Sequence, residues 1–134
     1  MEEKEYETLL RTYLTSFPLY DPSHVILVKV SDEGTIHLSY YFVERDVFGA
    51  RFDLQISDTL CYLLWIGISK QHRGKGLGSQ LYTLIENFAA EVGCTTLRIT
   101  PSGETFSGKD RRDYLLRRGY RDLDRFEVEK DLAI

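Results

Sequence analysis

The sequence predicts an α+β domain whose mixed, mostly antiparallel central sheet is flanked by helices. Strand-like patterns of apolar residues recur four times before residue 70, and a long helical stripe of apolar residues follows residue 77. The remaining segments alternate between strand and helix patterns, which predicts a β-α-β unit after the antiparallel strands. With 134 residues the chain fits one compact domain, so we expect a single domain over 1–134.

The first half of the chain predicts one helix and four strands. Residues 3–16 place apolar side chains at helical spacing, and the stretch 17–22 ends this helix because proline cannot continue its hydrogen-bonded ladder. β-Branched and aromatic residues on both sides of Asp32-Glu33-Gly34 predict a hairpin. The last of these segments is almost wholly apolar, which suits a central strand covered on both faces. The expected strands lie near 24–30, 35–43, 50–57 and 60–69.

The second half begins with a change of period. From Leu77 to Val92, apolar residues recur at spacings of three and four, which predicts one amphipathic helix. Gly93 is placed to end that helix in a left-handed conformation, and Gly119 closes a later one. The other expected elements are a strand at 95–100, a loop at 101–110, a helix at 111–119 and a final strand at 120–130.

The composition argues against several classes of function. Apolar residues make up 43% of the chain and charged residues 28%, which is typical of a globular protein. The net charge of −4 argues against a general nucleic-acid partner, since such proteins normally carry a basic surface. No apolar run approaches the ~20 residues that span a bilayer, and the first residues lack a secretory pattern. We therefore expect no nucleic-acid or membrane partner and a cytoplasmic location.

The cysteines give no sign of a metal site. Cys61 and Cys94 lie far apart in the sequence, with no C-x-x-C pattern and no histidine cluster near them. We expect both thiols to remain reduced and packed, as in a cytosolic protein, and we expect no metal.

Residues 70–81, KQHRGKGLGSQL, have the character of an anion-binding loop. Glycines between a strand and a helix start leave backbone N–H groups free at the positive end of the helix dipole. Gly74, Gly76 and Gly78 also let an oxygen approach the backbone closely, because they carry no Cβ. Arg73 and Lys75 can add charge-assisted contacts, although either can simply be solvated.

Two common phosphate-binding motifs do not fit this stretch. The nucleoside-triphosphate loop requires G-x-x-x-x-G-K-[ST], whereas here Gly74-Lys75 is followed by Gly76 and Ser69 stands at the first glycine position. The dinucleotide fingerprint requires G-x-G-x-x-G, and the spacing from Gly74 to Gly78 differs from it. On spacing alone, the sequence therefore contains neither of these two motifs.

The pattern [QR]-x-x-G-x-[GA], present as Gln71 to Gly76, resembles the acetyl-CoA pyrophosphate loop of the GCN5-related N-acetyltransferase (GNAT) superfamily. The preceding strand LLWIGIS, the following helix and the C-terminal segment LLRRGY are also similar to that family. The resemblance implies an acyltransferase that moves an acetyl group from acetyl-CoA to an amine by direct attack, without a metal. The cofactor-binding residues it implies are Ile66, Gly67, Ile68, Gln71, Arg73, Gly74, Lys75, Gly76, Leu77, Gly78 and Ser79.

The resemblance also implies that the pantetheine arm lies along the backbone of Ile66 and Ile68, with the Ile66 N–H facing the thioester carbonyl oxygen. Regular alternation would place Tyr62, Leu64, Ile66 and Ile68 on one face of the strand, and we expect core packing for the three aliphatic side chains. The positions that hold the base in the family are occupied by Leu64 and Tyr62. A phenol with a pKa near ~10 is a poor base, so Tyr62 is a candidate relay through water. The other candidate bases are Asp53, Asp58, His37 and Glu44.

The expected acid is displaced by one residue. The family tyrosine that protonates the thiolate lies four residues before the helix-ending glycine, where this sequence has Leu115. Tyr114 lies about 100° away around the helix and is the candidate acid, with core packing as the alternative. The family's asparagine is missing, and Gly108 is nearest to its place. The neighbouring cations Lys109, Arg111 and Arg112 could meet CoA phosphates or form a solvated helix start.

The acceptor remains open at this point. Aromatic residues within 6–20 and 40–42 could line an acceptor cleft or belong to the core, and the amine could be a small molecule, a protein N-terminus or a lysine. Two other functions also stay open: an acyl-CoA-binding regulatory module without turnover, and an interaction subunit. A homodimer is a further possibility.

Overall fold

The computed structural model describes residues 1–101 and 111–132, and within them the chain forms three α-helices and seven strands. The helices are α1 (Glu3–Leu14), α2 (Leu77–Glu91) and α3 (Arg111–Arg117). The strands are β1 (Val25–Val30), β2 (Ile36–Glu44), β3 (Val47–Ser57), β4 (Leu60–Ile68), β5 (Thr96–Ile99), β6 (Arg121–Asp122) and β7 (Val128–Asp131). Most of the predicted loop at 101–110 lies outside the described residues.

The seven strands form one sheet in the order β1-β2-β3-β4-β5-β7-β6. Every neighbouring pair is antiparallel except β4 and β5, which run parallel and are connected through α2. The predicted fold class, a mixed and mostly antiparallel sheet flanked by helices, is confirmed.

The expected single strand over 120–130 is wrong, because the chain reverses within it. β6 and β7 pair antiparallel, and Asp124 closes the turn between them. Its Oδ1 accepts hydrogen bonds from the backbone N–H groups of Phe126 (2.7 Å) and Glu127 (2.8 Å). An aspartate that bonds the backbone two and three residues further on favours a turn over an extended strand.

The glycines expected to end helices do so. Gly93 follows α2 with φ 100°, and Gly119 follows α3 with φ 106°. Both values lie in the left-handed region that other residues rarely adopt. The hairpin glycine, Gly34, also has a positive φ of 86° between β1 and β2.

The helices cover one face of the sheet. α1 contacts β1 and α2, and α2 contacts β4. α3 lies beside α2, where the Arg118 guanidinium that follows it donates to the Glu86 carboxylate at 3.1 Å. The alternate residues of β3 that face these helices are buried, and those on the other face are half-exposed. We call the second face the open face; Arg51, Asp53, Tyr62 and Trp65 lie on it.

Strand β4 contains a β-bulge at Leu64. Asp53 of β3 pairs with Trp65 and Leu54 pairs with Leu63, so that Leu64 has no partner in β3. A bulge shifts the alternation of side chains by one residue. Ile66 therefore shares the buried face with Leu63, and Trp65 lies on the open face. The expectation that Tyr62, Leu64, Ile66 and Ile68 share one face is wrong: only Ile66 and Ile68 do.

The bulge coincides with the end of the pairing between β4 and β5. The parallel register runs from Leu60 opposite Thr96 to Leu63 opposite Ile99. Beyond Leu63, the described residues pair with β4 only from the side of β3. The second half of β4 therefore has a free edge next to the glycine-rich loop.

Candidate active site

A cavity of about 390 Å³ lies beside the free edge of β4. Its walls come from β4, the glycine-rich loop, the first turns of α2, and α3. Among the residues with predicted site roles, it is lined by Ile66, Gly67, Ile68, Arg73, Gly74, Gly76, Leu77, Gly78, Ser79 and Tyr114. The lining also includes His72, Tyr82, Arg111 and Arg117. The structure thus brings most of the sequence-derived cofactor residues together around one space.

The glycine-rich loop turns into α2 through two left-handed residues. Gly74 has φ 82°, and Gly76, the residue that caps the N-terminus of α2, has φ 75°. The first helical hydrogen bond runs from the Gln80 N–H to the Gly76 carbonyl (3.2 Å), so the N–H groups before it have no partner within the helix. Free N–H groups at the positive end of a helix dipole bind an anion. This geometry suits a phosphate group.

Two of the predicted cofactor residues, Gln71 and Lys75, do not line the cavity. The Gln71 amide donates instead to the Glu44 carboxylate (3.2 Å), which also bonds the His72 ring at 2.6 Å. The hydrogen bond with His72 lowers the pKa of Glu44. Glu44 therefore holds the outer side of the loop, and the Arg73 guanidinium fastens its inner side by donating to the Ile68 carbonyl (2.9 Å).

The backbone of Ile66 points into the cavity. Its carbonyl oxygen accepts a hydrogen bond from the Arg111 guanidinium at 3.3 Å, so it does not point toward β3. The N–H and carbonyl of one residue in an extended strand point to the same side, so the Ile66 N–H faces the cavity too. This is the orientation that the resemblance implied, while the role of that N–H stays a prediction.

Tyr114 lies in the cavity and Leu115 lies in the core. The Tyr114 hydroxyl is 2.6 Å from the Ser79 hydroxyl, whereas the Leu115 side chain is 0% exposed. Tyr114 therefore packs partly against the core and partly lines the cavity. Its role as an acid stays a prediction.

Tyr82 is a cavity residue that the sequence did not single out. It is 5% exposed, and its hydroxyl has no hydrogen-bond partner within the described parts of the chain. Its ring lies 5.6 Å from the ring of Tyr114, and burial raises the pKa of Tyr82 to about 12. The only signal in the sequence is a tyrosine three residues after Ser79, one turn along the same side of α2.

Neither Tyr62 nor Leu64, which occupy the positions on β4 that hold the base in the family, lines the cavity. The Tyr62 hydroxyl lies on the open face, 3.2 Å from the Thr100 hydroxyl. The Leu64 side chain is 52% exposed, so the core packing expected for it is wrong. Its position in the bulge explains this, because the extra residue is turned out of the regular alternation.

Asp53 lies on the open face, beside the half of β4 that lines the cavity. It pairs with Trp65, the neighbour of Ile66. Its Oδ2 accepts from the Arg51 guanidinium at 3.0 Å, while its Oδ1 is buried without a partner among the described residues. Asp53 therefore has one buried carboxylate oxygen whose hydrogen-bonding capacity is unused among the described residues.

The other candidates lie elsewhere. Asp58 is in the turn between β3 and β4, and His37 is exposed. The Arg112 guanidinium bonds Asp122 and the carbonyl of Arg125 (2.9 Å). Gly108 and Lys109 lie outside the described residues.

The aromatic residues of the first half divide between core and surface. Tyr6 and Tyr40 are buried, whereas Tyr41 and Phe42 line a second cavity of about 430 Å³. His72 lines both cavities. The second cavity also contains Glu44, which gives it an acidic group.

The structure also bears on metals and membranes. Cys61 and Cys94 are buried free thiols. In the described part of the chain, no three His, Cys, Asp or Glu side chains form a group that could hold a metal ion. No described helix has the length and apolar character needed to cross a membrane.

Comparison with known proteins gives one family. The sequence model of the acetyltransferase (GNAT) family matches residues 3–120. No curated protein sequence matches the chain significantly.

Solved structures of acetyltransferases share the fold. An acetyltransferase from Bacillus cereus ATCC 14579 is similar with TM-score 0.59 at 17% identity, over 96% of this chain and 90% of that one. PaiA N-acetyltransferase from Thermoplasma acidophilum, in complex with coenzyme A, is similar with TM-score 0.53 at 18% identity, over 72% and 60%. Tetrahymena GCN5 is similar with TM-score 0.54 at 10% identity, over 97% and 88%. At these identities the likeness establishes the fold.

Proposed function

Because the chain belongs to the acetyltransferase (GNAT) family, we propose that it transfers an acetyl group from acetyl-CoA to an amine by direct attack. One observation carries this proposal. The glycine-rich loop at the start of α2 opens into a cavity of about 390 Å³ that follows the free edge of β4. A long molecule with a phosphate group in its middle and an extended arm suits that shape.

The charges and backbone groups of the cavity support CoA as the ligand. The free N–H groups at the start of α2 suit the pyrophosphate. Arg73, Arg111 and Arg117 line the same cavity and supply positive charge. The free edge of β4 offers the N–H groups of Ile66 and Ile68 to the carbonyls of the pantetheine arm, in the way that a sheet edge binds an extended chain. The carbonyls of these two residues already accept from the Arg111 and Arg73 guanidinium groups.

The chemistry requires an oxyanion stabiliser and a proton acceptor. As the amine attacks, its C–N bond forms, the C–S bond breaks, and the carbonyl oxygen carries negative charge in between. The Ile66 N–H is the donor that we propose for this oxygen, since a fixed backbone donor costs no reorganisation. The amine loses a proton, and we propose Asp53 as its acceptor, because Oδ1 of Asp53 has no partner within the described residues.

The amine itself is proposed only as a class. Asp53 and Trp65 lie on the open face, whereas the cavity lies on the face of the helices, so the two substrates would approach β4 from opposite sides. The net charge of −4 favours a cationic acceptor. A small amine, a protein N-terminus and a lysine side chain all meet this description.

The test combines binding and turnover. Calorimetry with CoA and release of free thiol from acetyl-CoA would be measured with a panel of small amines and with peptides. We expect CoA to bind and at least one amine to raise thiol release above hydrolysis. Tight CoA binding without turnover on any amine would favour the regulatory module, and no CoA binding would contradict the proposal. Size-exclusion mass during turnover tests the interaction subunit, because a monomer that acetylates amines alone needs no larger complex.

A further inference from the structure

The Tyr82 hydroxyl is a buried polar group without a partner in the described chain, and it borders the cavity. A buried hydroxyl without a hydrogen bond destabilises the fold, so such groups are rare unless a ligand completes them. The other phenol of the cavity differs in this respect, because the Tyr114 hydroxyl already bonds the Ser79 hydroxyl at 2.6 Å. Tyr82 is thus the phenol of this cavity whose hydroxyl makes no hydrogen bond within the described residues.

Tyr82 and Ile66 line the same cavity, Tyr82 from α2 and Ile66 from β4. α2 connects two parallel strands, so it runs antiparallel to β4. Tyr82 follows Leu77 by five residues, which is about 7.5 Å along a helix. Ser79 and its partner Tyr114 lie one turn nearer to the glycine-rich loop.

Resting on the proposed function, we propose that the Tyr82 hydroxyl donates a hydrogen bond to the sulfur of CoA and stabilises the thiolate that leaves. When the amine nitrogen bonds to the carbonyl carbon, the C–S bond breaks and its electron pair stays on sulfur. Tyr82 contributes a hydrogen bond to that charge and keeps its own proton.

The surroundings of Tyr82 fit a donor rather than an acid. Burial is the main reason that the pKa of Tyr82 is raised to about 12. The Arg111 and Arg118 charges lower this pKa, while Tyr114 and Glu86 raise it further. A phenol with this pKa stays protonated at neutral pH and does not readily release its proton. It can still donate a charge-assisted hydrogen bond, which is stronger than a bond between neutral groups.

The test measures the ionisation of bound CoA and needs no acceptor. The ultraviolet absorbance of the thiolate would be titrated in complexes of CoA with wild type, Tyr82→Phe and Tyr114→Phe. Complexes with desulfo-CoA supply the baseline and cancel absorbance changes that do not come from the thiol. The other titratable or charged groups that line the cavity are His72, Arg73, Arg111, Tyr114 and Arg117. In Tyr82→Phe we expect the thiolate-to-thiol ratio of bound CoA to fall about tenfold at a given pH.

Binding and folding are followed in parallel. Tyr82→Phe removes one oxygen that has no hydrogen bond and leaves the ring, so we expect the free protein to melt at the wild-type temperature or above it. At a pH where the thiol is protonated, we expect an unchanged CoA affinity. Tyr13→Phe is the matched control and should behave like wild type. It also removes only a tyrosine hydroxyl, from a ring in α1 that packs on Phe88. At a pH where the thiol is ionised, a preference of wild type for CoA over desulfo-CoA that disappears in Tyr82→Phe would support the inference independently.

The results that would contradict this inference differ from those that would contradict the proposed function. If CoA binds but its thiolate ratio is the same in wild type and Tyr82→Phe, the inference is overturned and the proposed function stands. If Tyr114→Phe lowers the ratio and Tyr82→Phe does not, Tyr114 is the donor. If wild type does not bind CoA, both proposals fail.

Discussion

Replacing Gly76 by aspartate places a carboxylate at the N-terminus of α2, inside the cavity. Gly76 has φ 75°, and a Cβ added there would meet no atom within 4 Å, so the new side chain has room. The backbone cost is about 1–2 kcal/mol, because L residues disfavour the left-handed region. We expect the protein to fold with a slightly lower melting temperature.

The effect on CoA is electrostatic and larger. Two like charges ~4 Å apart repel by ~1 kcal/mol in bulk water and by ~4 kcal/mol at the effective dielectric constant of a protein surface. Since ~1.4 kcal/mol corresponds to a tenfold change, we expect the CoA dissociation constant to rise by roughly five-fold to several hundred-fold.

Gly34→Asp is the matched control for this variant. Gly34 has φ 86°, and a Cβ added there would also meet no atom within 4 Å, but it lies in the β1–β2 turn. The two variants thus share the charge change and the backbone strain, and only Gly76→Asp should lose CoA. Calorimetry with CoA and thermal denaturation measure both effects. Wild-type CoA affinity in folded Gly76→Asp, or an equal loss in Gly34→Asp, would refute the site.

Three further substitutions probe the proton acceptor and the core. Asp53→Asn should lower kcat without a matching change in the CoA dissociation constant, since an amide cannot take the amine proton; unaltered steady-state kinetics would exclude Asp53. Leu115→Ala should lower the free energy of unfolding by about 2–5 kcal/mol, because Leu115 is 0% exposed, and by more than Leu116→Ala, as urea denaturation can check. Tyr120→Phe should cost about 1–3 kcal/mol in the same assay through loss of the 2.7 Å hydrogen bond to Glu86, and a wild-type midpoint would contradict this.

The elements with a local signal could be predicted from the sequence. α2 follows from apolar residues at spacings of three and four from Leu77 onward, and its end follows from Gly93. The cofactor loop belongs to the same class, because its glycines and its place between a strand and a helix are visible in one short stretch. Nine of the eleven predicted cofactor-binding residues line the cavity for this reason.

Features that depend on pairing between distant segments could not be predicted. The bulge at Leu64 is set by the register of β3 against β4, and no local pattern marks it. The chain reverses at Asp124, within a segment whose apolar and polar residues alternate well enough to suggest one strand. Tyr82 was missed for a related reason, because its importance comes from the cavity between α2 and α3 rather than from its own segment.

The bulge at Leu64 is what gives Ile66 its place in the site. In a regular strand, backbone groups of successive residues point alternately to the two neighbouring strands. If Leu64 were paired with Asp53 in a regular register, Ile66 would lie opposite Arg51 and direct its N–H and carbonyl toward β3, and Trp65 would turn under the helices. The bulge shifts both by one position, so the Ile66 carbonyl meets the Arg111 guanidinium in the cavity at 3.3 Å and Trp65 lies on the open face beside Asp53. The free N–H therefore comes from the register of the sheet and not from any property of isoleucine, so a change that draws Leu64 into regular pairing with Asp53 should remove it even though Ile66 is untouched.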